Sequence, residues 1–120
     1  VSTPARLSAT PAGIALGRLD LVADGKARNI VIEMRDGRFH GFVVRTGDTV
    51  RGYVDRCPHA GLPLAQKLDD YLTPDGRFIT CSWHGALFEP ATGACVGGPC
   101  AGQHLTGWPL AVVDGQIVTC

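Results

Sequence analysis

Cys57-Pro58-His59 and Cys81-Ser82-Trp83-His84 each place a thiol and an imidazole within one short stretch of chain, followed by glycine at Gly61 and Gly85. A mixed pair of this kind is a two-pronged claw for a soft or borderline metal. Residues 60–80 separate the claws, leaving 21 positions in which the chain can fold back and bring four donors to one centre. A Cys₂His₂ set suits a tetrahedral zinc ion. It equally suits a [2Fe–2S] cluster in which one iron takes two thiolates and the other two imidazoles. Residue types leave both open.

Such claws need stiff supports, and the rest of the chain supplies short ones. Asp24-Gly25, Asp36-Gly37, Thr46-Gly47, Asp75-Gly76, Thr92-Gly93 and Asp114-Gly115 punctuate it at hairpin spacing. The runs 15–21, 29–34, 39–45, 50–54, 77–81, 86–88, 108–113 and 116–118 are rich in Val, Ile, Leu and Phe and are predicted as strands. The fold class is therefore all-β. Only residues 63–72 carry a helical stripe, Leu64, Leu68 and Leu72, enough for one or two turns. The stretch 67–76 looks like an insertion between the claws, ending in the turn sequence Pro74-Asp75-Gly76. Residues 1–12 lack periodicity and are predicted as a flexible N-terminal lead to a single domain, 13–120, with the claws and their supports in a subdomain of about 55–102.

With 120 residues, 45% of them hydrophobic, one compact core fits and a second catalytic module does not. Eleven basic and eleven acidic side chains give no field to gather nucleic acid or an anionic membrane surface. No run approaches the roughly 18 apolar residues that span a bilayer, so a cytoplasmic location is the expectation. Two of the five cysteines sit at ligand spacing, which suggests a reducing compartment. The others, Cys95, Cys100 and Cys120, are read as thiols packed as small apolar groups, with a Cys95 to Cys100 bridge as the alternative. His40 and His104 have no cysteine at claw spacing and are read as ordinary surface or capping residues.

The text around the claws narrows the choice of metal: Cys57-Pro58-His59-Ala60-Gly61, then Cys81-Ser82-Trp83-His84-Gly85-Ala86-Leu87-Phe88, Thr92-Gly93 and Gly98-Pro99. From about residue 55 to 100 the chain resembles the Rieske iron–sulfur family. That resemblance implies an antiparallel β-sandwich or barrel with a small cluster-binding subdomain of two hairpin loops, and a third, proline-bearing loop, 97–102, over the cluster. It implies one [2Fe–2S] cluster per chain, held by Cys57 and Cys81 on the inner iron and by His59 and His84 on the outer. High-potential members carry an extra cysteine beside each claw and a serine after the His-Gly. Here those neighbourhoods read Ala60-Gly61-Leu62 and Ser82-Trp83, and the serine position is Ala86, which points to the ferredoxin branch and a low potential.

The resemblance further implies a monomeric carrier passing one electron at a time from a flavin-containing reductase to a terminal oxygenase, with no catalytic residues of its own. Alternatives are a small subunit beside a nitrite reductase large subunit, and a structural zinc domain that binds proteins through the same four ligands. Trp83 is read as packing under its loop and Phe88 as core. Leu62, Pro63 and Pro99 form either an apolar collar for a redox partner or stiffeners of their loops.

Overall fold

β-Branched and aromatic residues alternate through the middle of the chain. The longest strands form there in the computed structural model, which describes residues 6–58, 63–83 and 85–120. The strands are β1 (Arg6–Leu7), β2 (Ala15–Arg18), β3 (Ala27–Met34), β4 (Gly37–Thr46), β5 (Thr49–Val54), β6 (Ile79–Thr80), β7 (Leu87–Phe88), β8 (Cys95–Gly97), β9 (Gly107–Trp108), β10 (Leu110–Val113) and β11 (Gln116–Thr119). They build a five-stranded sheet centred on β4 and β5, a three-stranded sheet β10-β11-β2, and a three-stranded sheet β6-β7-β8. Every pairing is antiparallel except that of β1, which runs parallel to the start of β4.

β4 is the pivot because its two faces are both covered. Phe39 and Val43 point into one packed cluster with Val22, Val50, Val54, Trp108 and Ile117. Phe42 and Val44, at odd offsets from the first pair and so on the opposite face, enter the other, which contains Tyr53, Tyr71, Ile79, Phe88 and the cysteines Cys57, Cys81 and Cys100. The side that carries the predicted thiol ligands is thus built on the same strand as the supporting core. The Asp-Gly turn signals hold: Asp114 and Gly115, at φ 51° and 76°, close the two-residue β10–β11 hairpin that left-handed backbone favours.

Three expectations change. The helix over 63–72 does not form, because Asp69 adopts left-handed backbone, φ 64°, and Leu68 is 81% exposed while Leu64 is fully buried. The three leucines share no face. Instead, Leu72 bridges Ile79, extending the small sheet as irregular backbone. Part of the stretch read as a flexible lead is fastened: β1 pairs with β4, Thr10 accepts from Trp108 Nε1 at 2.9 Å, and the Pro11 carbonyl accepts from the Thr119 hydroxyl at 2.8 Å. The run 108–113 splits at Pro109 into β9 and β10, which belong to different sheets, since proline supplies no ladder donor. Among the described residues no helix is long and apolar enough to cross a membrane.

Candidate metal centre

The second claw caps a regular hairpin. Ile79 pairs with Phe88 and Thr80 with Leu87, so the described residues 81–83 and 85–86 lie at its tip. Cys81 N donates to Ala86 O and Gly85 N to Cys81 O, both at 2.9 Å, and Gly85 takes φ 69°, a conformation glycine adopts without strain. The tip is therefore tightly wound around the Cys81 backbone, with Cys81 and Ala86 fully buried.

The proline-bearing loop leans on that tip. β8 pairs with β7, and Gly98, φ 89°, lies so close to Ala86 that a β-carbon there would come within 2.8 Å of the Ala86 α-carbon. Cys95 and Cys100 close this loop with a disulfide, their α-carbons 6.0 Å apart, a separation typical of the bond. This corrects the packed-thiol assignment of both. The left-handed turn at Gly98 folds the short loop back on itself, so proximity rather than packing decides their chemistry. Cys120 is exposed, contrary to the same expectation.

The first claw leaves the end of β5. Cys57 is fully buried and lies in the same packed cluster as Cys81, Leu64, Ala86 and Cys100. Its loop is held by a polar hub that the sequence did not flag. Asp55, 4% exposed, accepts at Oδ1 from Leu64 N, 2.9 Å, and at Oδ2 from the Tyr71 hydroxyl, 2.9 Å. Asn29 Nδ2 donates to the Tyr71 oxygen at 2.7 Å and reaches Asp55 Oδ2 at 3.4 Å. Burial, reinforced by the neighbouring Asp55 carboxylate, pushes the Tyr71 phenol far above the ordinary tyrosine range. The only hint in the sequence was an acid ending an apolar strand, Val54-Asp55, immediately before a claw.

The two claws meet at Pro63 and Leu64. Ser82 N donates to Leu64 O at 2.7 Å, and Trp83 Nε1 to Pro63 O at 2.6 Å. Trp83 is 46% exposed, so its expected packing role gives way to a hydrogen bond that joins one loop to the other. Phe88 is fully buried core, as expected. Pro63 is half-buried and Pro99 exposed. His40 is partly buried; burial, with Arg6 and Arg38 nearby, lowers its pKa. His104 is exposed and distant in role, its ring nitrogen against the Leu105 carbonyl.

Of the four sequence-predicted ligands, Cys57 and Cys81 are brought into one buried cluster, while His59 and His84, like Leu62 of the collar, lie outside the described residues. A family model described as the Rieske [2Fe-2S] domain matches residues 16–114. The chain belongs to the Rieske family.

A Rieske domain implies a [2Fe–2S] cluster, and the donor chemistry fits it: two buried thiols on adjoining loops that are laced together by backbone and indole hydrogen bonds. The ferredoxin component of the p-cumate 2,3-dioxygenase system of Pseudomonas putida is 39% identical over 64 residues, 52% of this chain and 49% of that protein. The match thus spans about half of the curated relative's length. The ferredoxin of carbazole 1,9a-dioxygenase from Nocardioides aromaticivorans IC177 superposes with a TM-score of 0.68 at 23% identity, covering 99% of this chain and 98% of that one. A chain in the complex of reduced oxygenase and oxidised ferredoxin of carbazole 1,9a-dioxygenase gives 0.68 at 24% identity, covering 89% of this chain and 91% of that one. These structural likenesses establish the all-β Rieske fold.

Proposed function

We propose that this chain is a Rieske-type ferredoxin, carrying single electrons from a flavin-containing reductase to a terminal oxygenase and performing no catalysis itself. One [2Fe–2S] cluster per chain is held by Cys57 and Cys81 as thiolates and by His59 and His84 through their imidazoles. The observation that carries this reading is the burial of both thiols in one packed cluster inside the matched family region. The likeness to the dioxygenase ferredoxin components supports the choice of partner.

When bound, the cluster accepts and releases one electron. The protein's own part is to keep its surroundings from rearranging as that charge changes. The wound tip at Cys81, the Gly98 contact and the ties at Pro63 and Leu64 serve that end. Ala86, where a hydroxyl would donate to a cluster sulfur, has only a methyl group, so the potential belongs near the low end of the Rieske span of about −150 to +300 mV.

The free protein is proposed to be monomeric and cytoplasmic, with the domain limits given above. In that compartment the thiol pool reduces accessible disulfides. Cys100 is 1% exposed and Cys95 half-buried, so the bridge is open to that pool only at the Cys95 sulfur. Rapid mixing tests the function: the reduced protein should be reoxidised in a single one-electron phase by a Rieske oxygenase, and should be re-reduced by a flavin reductase with NADH. A chain that exchanges electrons with neither contradicts it.

A further inference from the structure

Asp55 is the one buried carboxylate among the described residues. Its two oxygens do different work. Oδ1 accepts from Leu64 N and so joins the two ends of the loop that holds Cys57 and, in sequence, His59. Oδ2 takes the Tyr71 hydroxyl and the Asn29 amide, fastening that clamp to β3 and to the segment returning toward β6. The Asp55 backbone is held as well, its N–H on the His40 carbonyl at 3.0 Å and its carbonyl by Arg6 Nη2 at 3.1 Å. Leu64, the far end of the clamp, is also where Ser82 of the second claw is bound. One side chain therefore ties the Cys57 loop to the residue that also binds the second claw.

Its charge is the second point. The carboxylate is satisfied by neutral donors, and among the described residues the ion pair formed is Arg38 with Glu33, not one with Asp55. One residue of chain, Arg56, separates it from Cys57. A buried negative charge that close opposes the arrival of an electron, and burial weakens the screening that water would provide.

We propose that Asp55 is a positioning residue of the iron–sulfur centre, clamping the first ligand loop to the second while its buried charge holds the reduction potential down. This role rests on the ligand assignment above. Two variants separate clamp from charge. Asp55→Asn keeps the shape and an acceptor for Leu64 N but removes the charge. Tyr71→Phe keeps the charge and removes a donor that partly neutralises it.

The measurements are the midpoint potential of the anaerobically purified full chain and the rate at which an iron chelator strips its cluster. For Asp55→Asn the reduced-to-oxidised ratio at a fixed potential should rise roughly tenfold, an upward shift of about 59 mV for a one-electron couple. Tyr71→Phe should give a smaller shift downward. Tyr71→Phe, which loses an outer hydrogen-bond partner, should lose the cluster faster, roughly tenfold, and Asp55→Asn, which keeps the acceptor for Leu64 N, by less.

An unmoved potential in Asp55→Asn overturns the proposal, as do shifts of the same sign in both variants, since loosening alone would produce those. Should Asp55→Asn fail to fold, an unchanged potential in Tyr71→Phe overturns it. Wild-type chain that takes up no iron refutes the ligand assignment itself; a loaded wild type with an indifferent Asp55→Asn refutes only the role of Asp55.

Discussion

The two claws are alike in chemistry and unlike in construction. The second sits on a two-stranded hairpin tip, braced by glycine contact and by a disulfide-closed neighbouring loop. The first leaves β5, and its support among the described residues is side-chain hydrogen bonding around Asp55, Tyr71 and Asn29. A hairpin tip is specified locally, by short-range pairing and turn residues. Among the described residues the return of the first loop shows no such ladder, and buried polar groups fix it. Backbone and covalent geometry hold one claw; a polar network holds the other.

The largest effect expected removes a thiol from either side. Cys57→Ser and Cys81→Ser should each abolish cluster retention, seen as loss of visible absorption and of protein-bound iron; retention by only one of them would break the equivalence of the claws. Next comes Gly98→Val, which forces a side chain into the Ala86 backbone at a left-handed φ. We expect it to destabilise the fold by roughly 3 kcal/mol in urea titrations. A neutral result would mean that the loop does not press on the second claw.

Replacing both bridge cysteines, Cys95→Ser with Cys100→Ser, should cost about 2 kcal/mol by the closure entropy of so short a loop. The cost should fall on the second claw, read as faster amide exchange at Gly85 and Ala86 with Leu64 unchanged. Equal loosening at Leu64 would erase the distinction between covalent and polar bracing.

The smallest effect is alkaline. Tyr71 keeps its proton in the folded state beyond the ordinary tyrosine pKa of about 10, whereas the unfolded chain releases it there. The folded state then binds more protons, so stability is full below pH 10 and declines as pH rises above it. Tyr71→Phe should flatten that decline in urea midpoints taken from pH 9 to 11. An unaltered slope would place the alkaline sensitivity outside the first claw's network.

Local pattern made much of this legible. Asp-Gly turns and alternating apolar residues located most of the strands, and the paired Cys and His spacing picked out two thiols that the fold does bring together. What pattern missed depends on distant residues. Leu64, Leu68 and Leu72 have helical spacing, but the bridge of Leu72 to Ile79 and the left-handed turn at Asp69 override it. Arg6–Leu7 is too short to show periodicity and becomes a strand only because β4 offers an open edge ahead of β5. The Asp55 hub joins residues 26 and 16 positions away in the chain, and no spacing rule links Asn29, Asp55 and Tyr71. The Cys95–Cys100 bridge depends on how sharply the chain turns at Gly98.

The central claim is that these two differently built claws grip one mixed-ligand iron–sulfur cluster. The direct measurement is iron and acid-labile sulfide content with EPR on chain purified without oxygen. The account predicts about two irons and two sulfides per chain, a red-brown oxidised form, and an EPR signal on one-electron reduction with hyperfine coupling to histidine nitrogen. Colourless protein that binds zinc but neither iron nor sulfide, even after reconstitution, would contradict it.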